Sequence, residues 1–229
     1  MTQNDRTLEL KSYEKWWTNN LGKETYEHEG VKIACPSIET FDTWMGDKNS
    51  PDRVIVRNIL GEFNSILDAG CGGCPEYYGI TEIDKTIKYT GVDITPSLVE
   101  YNRQRGIDCH HGSLNKLPFD DNQFDVVQSR HVVEHMNNVE APLQEMIRVA
   151  TNKVVVSFFI DPLENKTDSH HINLDDKNTE YEVYHNRYSR MLIENLLKNN
   201  DKVKSAEWRR PVASTTKSLL LIQLKDKDL

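Results

Sequence analysis

The chain has 229 residues, with 28 basic and 36 acidic side chains, a formal net charge of −8 and 37% hydrophobic content. That length and content suit one α/β domain with a substantial core. The acidic balance disfavours a general nucleic-acid binder, and no apolar run approaches the ~20 residues that a membrane span needs. The opening stretch "MTQNDRTLELKSYEKWW" lacks the apolar centre of a signal peptide, so the expected location is cytoplasmic. Cys35, Cys71, Cys74 and Cys109 are then expected as reduced thiols and not as a disulfide framework.

Residues 1–50 read as a helical extension carrying Tyr13, Trp16 and Trp17 at helical spacing. These aromatics either pack the extension onto the rest of the fold or form a lid that excludes water from a site. "SPDRVIVRNIL" (50–60) starts a helix, with Ser50 as cap and Pro51 at the first position. Its Arg53 or Arg57 either meets a ligand carboxylate or stays solvated. Short apolar runs then alternate with helical patterns. "SILDA" (65–69), "YTGVDI" (89–94), "FDVVQS" (124–129) and "KVVVSFFI" (153–160) suit buried parallel strands. "PSLVEYNRQR" (96–105) and "VEAPLQEMIRVA" (139–150) suit helices, the second with Leu143, Met146, Ile147 and Ala150 on one face.

The segment from Asp161 to Tyr188 is polar and rich in His, Asp and Tyr. A long loop at the carboxyl end of a strand is more often functional than idle. His170, His171, His185 and Tyr184 are candidates for substrate binding, or for holding a divalent metal with Asp175 and Asp176. A solvated insertion is the plainer alternative. "SRMLIENLLKNN" (189–200) opens on a serine cap, and "KVKSAEW" and "SLLLIQLK" close the chain as a strand pair. The order predicts an α/β fold with a doubly wound, mostly parallel sheet, covering residues 51–229, with the 161–188 insertion on the substrate side.

"ILDAGCGGCP" (66–75) ends the first of these strands and enters the next turn, where glycines let a ligand approach the backbone. Asp93 ends the second strand, 21 residues after Gly72, a spacing that suits a carboxylate accepting from ribose hydroxyls. A dinucleotide fingerprint is not met, because Pro75 stands where the third glycine belongs. Asp68, just before the glycines, would repel a pyrophosphate and suits a ligand with an amine and a positive centre.

These residues resemble the class I S-adenosylmethionine-dependent methyltransferases. "ILDAGCG" matches that family's first motif at Asp68, Gly70 and Gly72, and "GVDIT" its second, with Asp93 as ribose ligand. "LPFDDNQFDVVQSRHVVEHM" (117–136) and "LQEMIRV" resemble the following segments of its small-molecule subgroup, often called type 11. The resemblance implies a seven-stranded sheet of Rossmann-like methyltransferase type with its last strand antiparallel. It implies S-adenosyl-L-methionine as cofactor, with contacts at Asp68, Gly70, Gly72, Asp93, Ile94, Ser113, Leu114 and Arg130, and with Arg57 as a partner for its carboxylate. Three departures stand out: Cys74 replaces the third glycine, Ser113 replaces a frequent acidic residue, and the Pro-Gly-Gly turn before the fifth strand is missing.

"CGGC" also has readings of its own, as half of a zinc site or as a redox pair. The preferred reading is that Cys71 and Cys74 are small residues tolerated in a tight loop, with no metal, since the "CHH" at 109–111 is far away in sequence. "HVVEH" (131–135) has the H-x-x-E-H spacing of a metalloprotease, but it follows a strand directly. His131 is instead expected to face the transferable methyl, and His135 to be structural. The reading is therefore a methyltransferase of a small polar metabolite, preferably at a sugar-like hydroxyl, with His131 as base and His171 and His185 as rivals. Amine or carboxyl acceptors, RNA or protein substrates, and a non-catalytic cofactor-binding subunit stand as alternatives.

Overall fold

The computed structural model describes residues 26–28, 31–33, 47–173, 182–211 and 216–225. Within the extension it gives two short antiparallel strands, β1 (Tyr26–His28) and β2 (Val31–Ile33), where a helix was expected. Tyr13, Trp16 and Trp17 lie outside the described residues. The helix α1 (Pro51–Leu60) begins at Pro51 as predicted, yet the Ser50 hydroxyl makes no capping bond. At its other end the carbonyls of Ile59 and Leu60 accept from the Lys153 ammonium at 3.1 and 2.7 Å, which satisfies groups the helix leaves unpaired.

The remaining elements follow in order: β3 (Ser65–Ala69), α2 (Pro75–Ile83), β4 (Lys88–Asp93), α3 (Pro96–Gln104), β5 (Cys109–His111) and β6 (Phe124–Arg130). Then come α4 (Glu140–Val149), β7 (Ala150–Phe158), β8 (Asp168–Asn173), β9 (Glu182–Arg187), α5 (Arg190–Lys198), β10 (Val203–Arg209) and β11 (Ser218–Leu224). Helix α2 and strand β5 have no counterpart in the sequence reading. The Ser189 hydroxyl caps α5 by accepting from the Leu192 N–H at 3.2 Å, as its sequence suggests.

Among the described residues seven strands form one sheet in the order β10-β11-β7-β6-β3-β4-β5. The pairings from β7 to β5 are parallel, and β11 is antiparallel to both β7 and β10. This is the seven-stranded arrangement expected. Alternation assigns each side chain to a face. Ile66, Val126 and Val155 pack with Val56, Leu60, Ile80 and Val99 from α1, α2 and α3. Leu67, Val127, Val154 and Val156 pack with Leu143, Met146 and Ile147 of α4 and Ile193 of α5. All of these are nearly excluded from water, so the sheet is covered on both faces.

The missing turn before the fifth expected strand is explained by geometry. Helix α4 ends at Val149 and β7 begins at Ala150, with no loop between them. The Lys202 ammonium takes up the freed carbonyls of Ile147, Arg148 and Ala150 at 2.7–3.0 Å. A lysine from the β10 side therefore does the work of a turn.

The strand order reverses at β3. From β3 the chain moves outward through β4 and β5, then crosses back to place β6 on β3's other side. A crevice opens at such a switch, beyond the carboxyl ends of the strands. The glycine loop, Asp93 and His131 all sit at those ends, so topology alone gathers the candidate site.

Candidate active site

Gly70 leaves β3 with φ of 80°, and its N–H and that of Cys71 both donate to the Val92 carbonyl, at 2.8 and 3.1 Å. A methyl group on Gly70 would come within 2.4 Å of Val132 Cγ2, so glycine is required for both its backbone angle and its space. Gly72, with φ of 53°, donates its N–H to Asp93 Oδ2 at 2.9 Å, while the Thr95 N–H donates to Oδ1 at 2.9 Å. Two backbone donors fix the buried Asp93 carboxylate and occupy about half of its roughly four acceptor positions. The loop is tied from its far side by Asn102 Nδ2 to the Gly72 carbonyl and by Arg105 to the Gly73 carbonyl, both 2.7 Å.

Asp68 is buried at the end of β3 and accepts from the Tyr89 hydroxyl at 2.8 Å. Burial, with the charge of Glu76, pushes its carboxyl up to about 7. Glu76 in turn binds Arg53 at 2.8 Å and Arg57 at 2.9 Å, and all three side chains are almost fully enclosed. The solvated alternative for these arginines is thereby corrected. Arg57 meets the carboxylate of Glu76, lies over Gly79 and also donates to the Lys48 carbonyl. Glu76, which binds both arginines, was not singled out from the sequence.

On the other side of Asp93 the chain forms a wall. The Ile94 carbonyl meets His111 Nε2 at 3.0 Å, and the Gly112 N–H donates to the Asp93 carbonyl at 3.0 Å. Ser113 Oγ accepts from the Asn115 N–H at 3.1 Å, and Leu114 is buried. The Asn115 amide is shielded from water with neither its oxygen nor its nitrogen hydrogen-bonded. A buried amide in that state lacks a partner.

At the end of β6, Arg130 Nε donates to Asp52 Oδ2 at 2.6 Å, joining that strand to α1. Burial pushes the Asp52 carboxyl up, but the charge and hydrogen bond of Arg130, with Ser50 and Thr216, outweigh it and bring it down to about 2. His131 follows with φ of 58°, a left-handed conformation uncommon outside glycine, and its N–H donates to the Ser157 carbonyl. His131 Nε2 lies 2.8 Å from Thr216 Oγ1, whose hydroxyl donates to Asp52 Oδ2 at 3.1 Å. With that proton directed to Asp52, Nε2 carries the ring's N–H and Nδ1 is left as acceptor. Burial and then the charge of Arg130 hold the imidazole down at about 3.

The "HVVEH" segment is not a helix with two histidines on one face. Only Val133–His135 form a 3₁₀ turn, and Glu134 turns inward to accept from the Phe159 N–H at 2.6 Å. The ring of Phe159 instead gathers the histidines. The centroids of His131, His135 and His185 lie 5.5, 5.2 and 5.6 Å from it. His185 is on β9, so the hairpin brings one of the expected rivals against Phe159 and against His135, whose ring centroid lies 4.9 Å from its own. The other, His171, stands opposite Tyr184 in the register of β8 with β9. Asp175 and Asp176 lie outside the described residues.

Burial drives the Glu134 carboxyl up to about 8, against the three backbone donors that pull it down. The folded chain thus keeps a proton that the unfolded chain releases above about pH 4.5. The resulting stabilisation is complete below that pH and is lost as pH rises through about 8. Glu134→Gln, which keeps the accepting oxygen, should flatten this dependence. Its melting temperature should fall less than the parent's between pH 5 and pH 8, and parallel curves would contradict the account.

Cys109, at the start of β5, sits beside the two loop cysteines, with Cys71 and Cys109 sulfurs 3.6 Å apart. Sequence distance concealed this neighbour. Asp52 and Thr216 were also missed, because only the folded sheet brings α1 and the segment before β11 to the end of β6.

Residues 67–158 match a family described as a methyltransferase domain. The chain is 30% identical over 113 residues to a malonyl-[acyl-carrier protein] O-methyltransferase of Serratia marcescens, covering 46% of this chain and 44% of the relative. It is 27% identical over 119 residues to a demethylmenaquinone methyltransferase of Staphylococcus saprophyticus, covering 49% and 48%. The matches thus span about half the length of these curated relatives. The fold is similar to that of CalS10, an amino pentose methyltransferase from Micromonospora echinaspora, with a TM-score of 0.59, 12% identity, and coverage of 87% of this chain and 100% of that one.

Proposed function

From its membership, through residues 67–158, of the methyltransferase-domain family, we propose that the chain transfers the methyl group of S-adenosylmethionine to a hydroxyl of a small polar metabolite. The observation that carries this reading is Asp93. Its buried carboxylate is held by the Gly72 and Thr95 N–H groups and keeps acceptor positions in reserve for a diol. The other residues fit the same cofactor. Asp68 offers a carboxyl for an amine, Gly70 and Gly72 allow close backbone approach, and the unpartnered Asn115 amide beside Leu114 offers a donor and an acceptor to a heterocycle. Arg57 is committed to Glu76, so it supports the loop from behind.

The cofactor, when bound, supplies an electrophilic sulfonium methyl. The chain's own contribution is alignment and exclusion of water. His131 is fixed in direction by Thr216 and Asp52, with Nδ1 free to accept from an incoming hydroxyl. The polar β8–β9 hairpin reaches Phe159, the ring that His131 also meets, through His185. Preference for a polar hydroxyl rests on these two features. The named relatives act on three different acceptors, so none supplies the substrate here. Among the described residues, no helix is long and apolar enough to cross a membrane.

The test has two parts. Titration calorimetry should show binding of S-adenosylmethionine and of its demethylated product at about one equivalent. No heat and no thermal shift with either would remove the cofactor assignment. A labelled-methyl screen over hydroxyl, amine and carboxyl metabolites should then give turnover with hydroxyl compounds. Transfer only to amines or carboxylates would correct the acceptor while leaving the family intact.

A further inference from the structure

Three thiols sit directly beneath the glycine loop, and the transfer reaction uses none of them. Cys71 lies in the loop, Cys74 ends it in a left-handed conformation, and Cys109 opens β5 on the far side of β4. Their exposures are 5%, 0% and 1%, and the three sulfurs lie within 4.8 Å of one another. The strand between them makes room. On β4 a Cβ at Gly91 would stand 2.8 Å from Cys71 Sγ and 3.1 Å from Cys74 Sγ, so the sulfurs occupy the space a side chain would fill.

From these three convergent sulfurs and the space opened by Gly91, we propose that Cys71, Cys74 and Cys109 form a trithiolate site for a thiophilic d10 cation, Zn²⁺ or Cu⁺. Metal–sulfur bonds of about 2.3 Å place neighbouring thiolates roughly 3.8–4.0 Å apart. The Cys71–Cys109 separation of 3.6 Å is already close to that value, and the remaining separations need only small rotamer movements. Sulfur ligands select such soft cations over Mg²⁺ or Ca²⁺. The surroundings suit an anionic cluster. Asn102 Nδ2 lies 3.6 Å from Cys109 Sγ, and the guanidiniums of Arg103 and Arg105 bind the carbonyls of Cys109 and Gly73 at 2.7 Å. The thiols release their protons to solvent as the metal enters. Occupancy would tie the loop through Cys71 and Cys74 to β5, holding Gly72 and Gly73 between two ligands. This reverses the preference, drawn from the sequence, for cysteines that serve only as small residues.

The experiment uses the full chain, reduced and stripped of metal, without cofactor, so its result does not depend on the methyl-transfer reading. Co²⁺, as a spectroscopic stand-in for Zn²⁺, and Cu⁺ held by a colorimetric chelator are titrated in separate arms. At least one arm should show one equivalent bound. The Co²⁺ arm would report it by a thiolate charge-transfer band, and the Cu⁺ arm by loss of chelator colour. The bound metal should raise the melting temperature, and Cys109→Ser should weaken uptake at least 100-fold. In case that variant unfolds, the parent alone gives a second readout. In mild denaturant, where transient opening exposes these buried thiols in the metal-free chain, bound metal should shield Cys71, Cys74 and Cys109 from alkylation, mapped by mass spectrometry. No stoichiometric uptake in either arm, or uptake that leaves those three cysteines as reactive as before, would overturn the proposal.

Discussion

Asp93→Ala should weaken binding of S-adenosylmethionine by about 1.5–3 kcal/mol, the scale for hydrogen bonds lost to a charged group, or roughly 10- to 100-fold in Kd. The residue has two duties. It accepts from the Gly72 and Thr95 N–H groups, so it shapes the loop before any ligand arrives, and under the proposed function its remaining acceptor positions would serve the ligand. Removing it leaves two inward-facing N–H groups without their acceptor, so the melting temperature should fall as well. Asp93→Asn separates the duties in part. Its one oxygen can serve Thr95, but its amide group opposes the Gly72 N–H. Asn should therefore bind the cofactor nearly as poorly as Ala while keeping more stability. Calorimetry and melting curves on the same samples read both quantities, and an Asn variant that binds like the parent would remove Asp93 from the cofactor site.

The parts of this site that sequence made legible are those built from short stretches. Asp68, Gly70, Gly72 and Asp93 fall within two adjacent strand ends, and their spacing is a consequence of one strand–helix–strand unit. The parts that stayed hidden depend on long crossovers. Arg130 meets Asp52 across 78 residues, His131 meets Thr216 across 85, and Cys71 meets Cys109 across 38. No period of 2 or 3.6 carries that information. Helix α2, "PEYYGITEI", went unread because a glycine and β-branched residues weaken its pattern. Gly79 is nevertheless suited to its place, since the Arg57 guanidinium occupies the position a Cβ would take. The β8–β9 hairpin was hidden for a different reason. Both strands are polar and, among the described residues, pair with each other alone, so neither shows the alternation that a sheet covering a core imposes.

His131→Ala should leave cofactor binding close to the parent's and lower turnover by about 10²–10⁴-fold, the range for loss of a positioned general base. The simple case for this histidine, an ordinary imidazole poised near neutral pH, does not survive the structure. Burial, reinforced by the charge of Arg130, holds it down at about 3, so the ring is neutral throughout the physiological range. A weak base still suffices here. As the hydroxyl oxygen forms its bond to the methyl carbon it takes on positive charge, and its proton becomes far more acidic than in the free alcohol. Nδ1 needs only to be aimed at that proton when the bond forms, and the chain Nε2–H to Thr216 to Asp52 supplies the aim. Two consequences separate this from a histidine that titrates near 6.5. With the cofactor saturating, so that titration of Asp68 near 7 does not enter through binding, kcat should show no break where free imidazole protonates. Thr216→Ala should lower kcat with little change in cofactor affinity, because it releases the ring without removing it. His131→Gln distinguishes orientation from proton transfer. A glutamine that restores most of the rate would make His131 an orienting group, whereas a loss as deep as alanine's supports proton transfer. If His131→Ala keeps full turnover while His185→Ala abolishes it, the base belongs to the β9 hairpin.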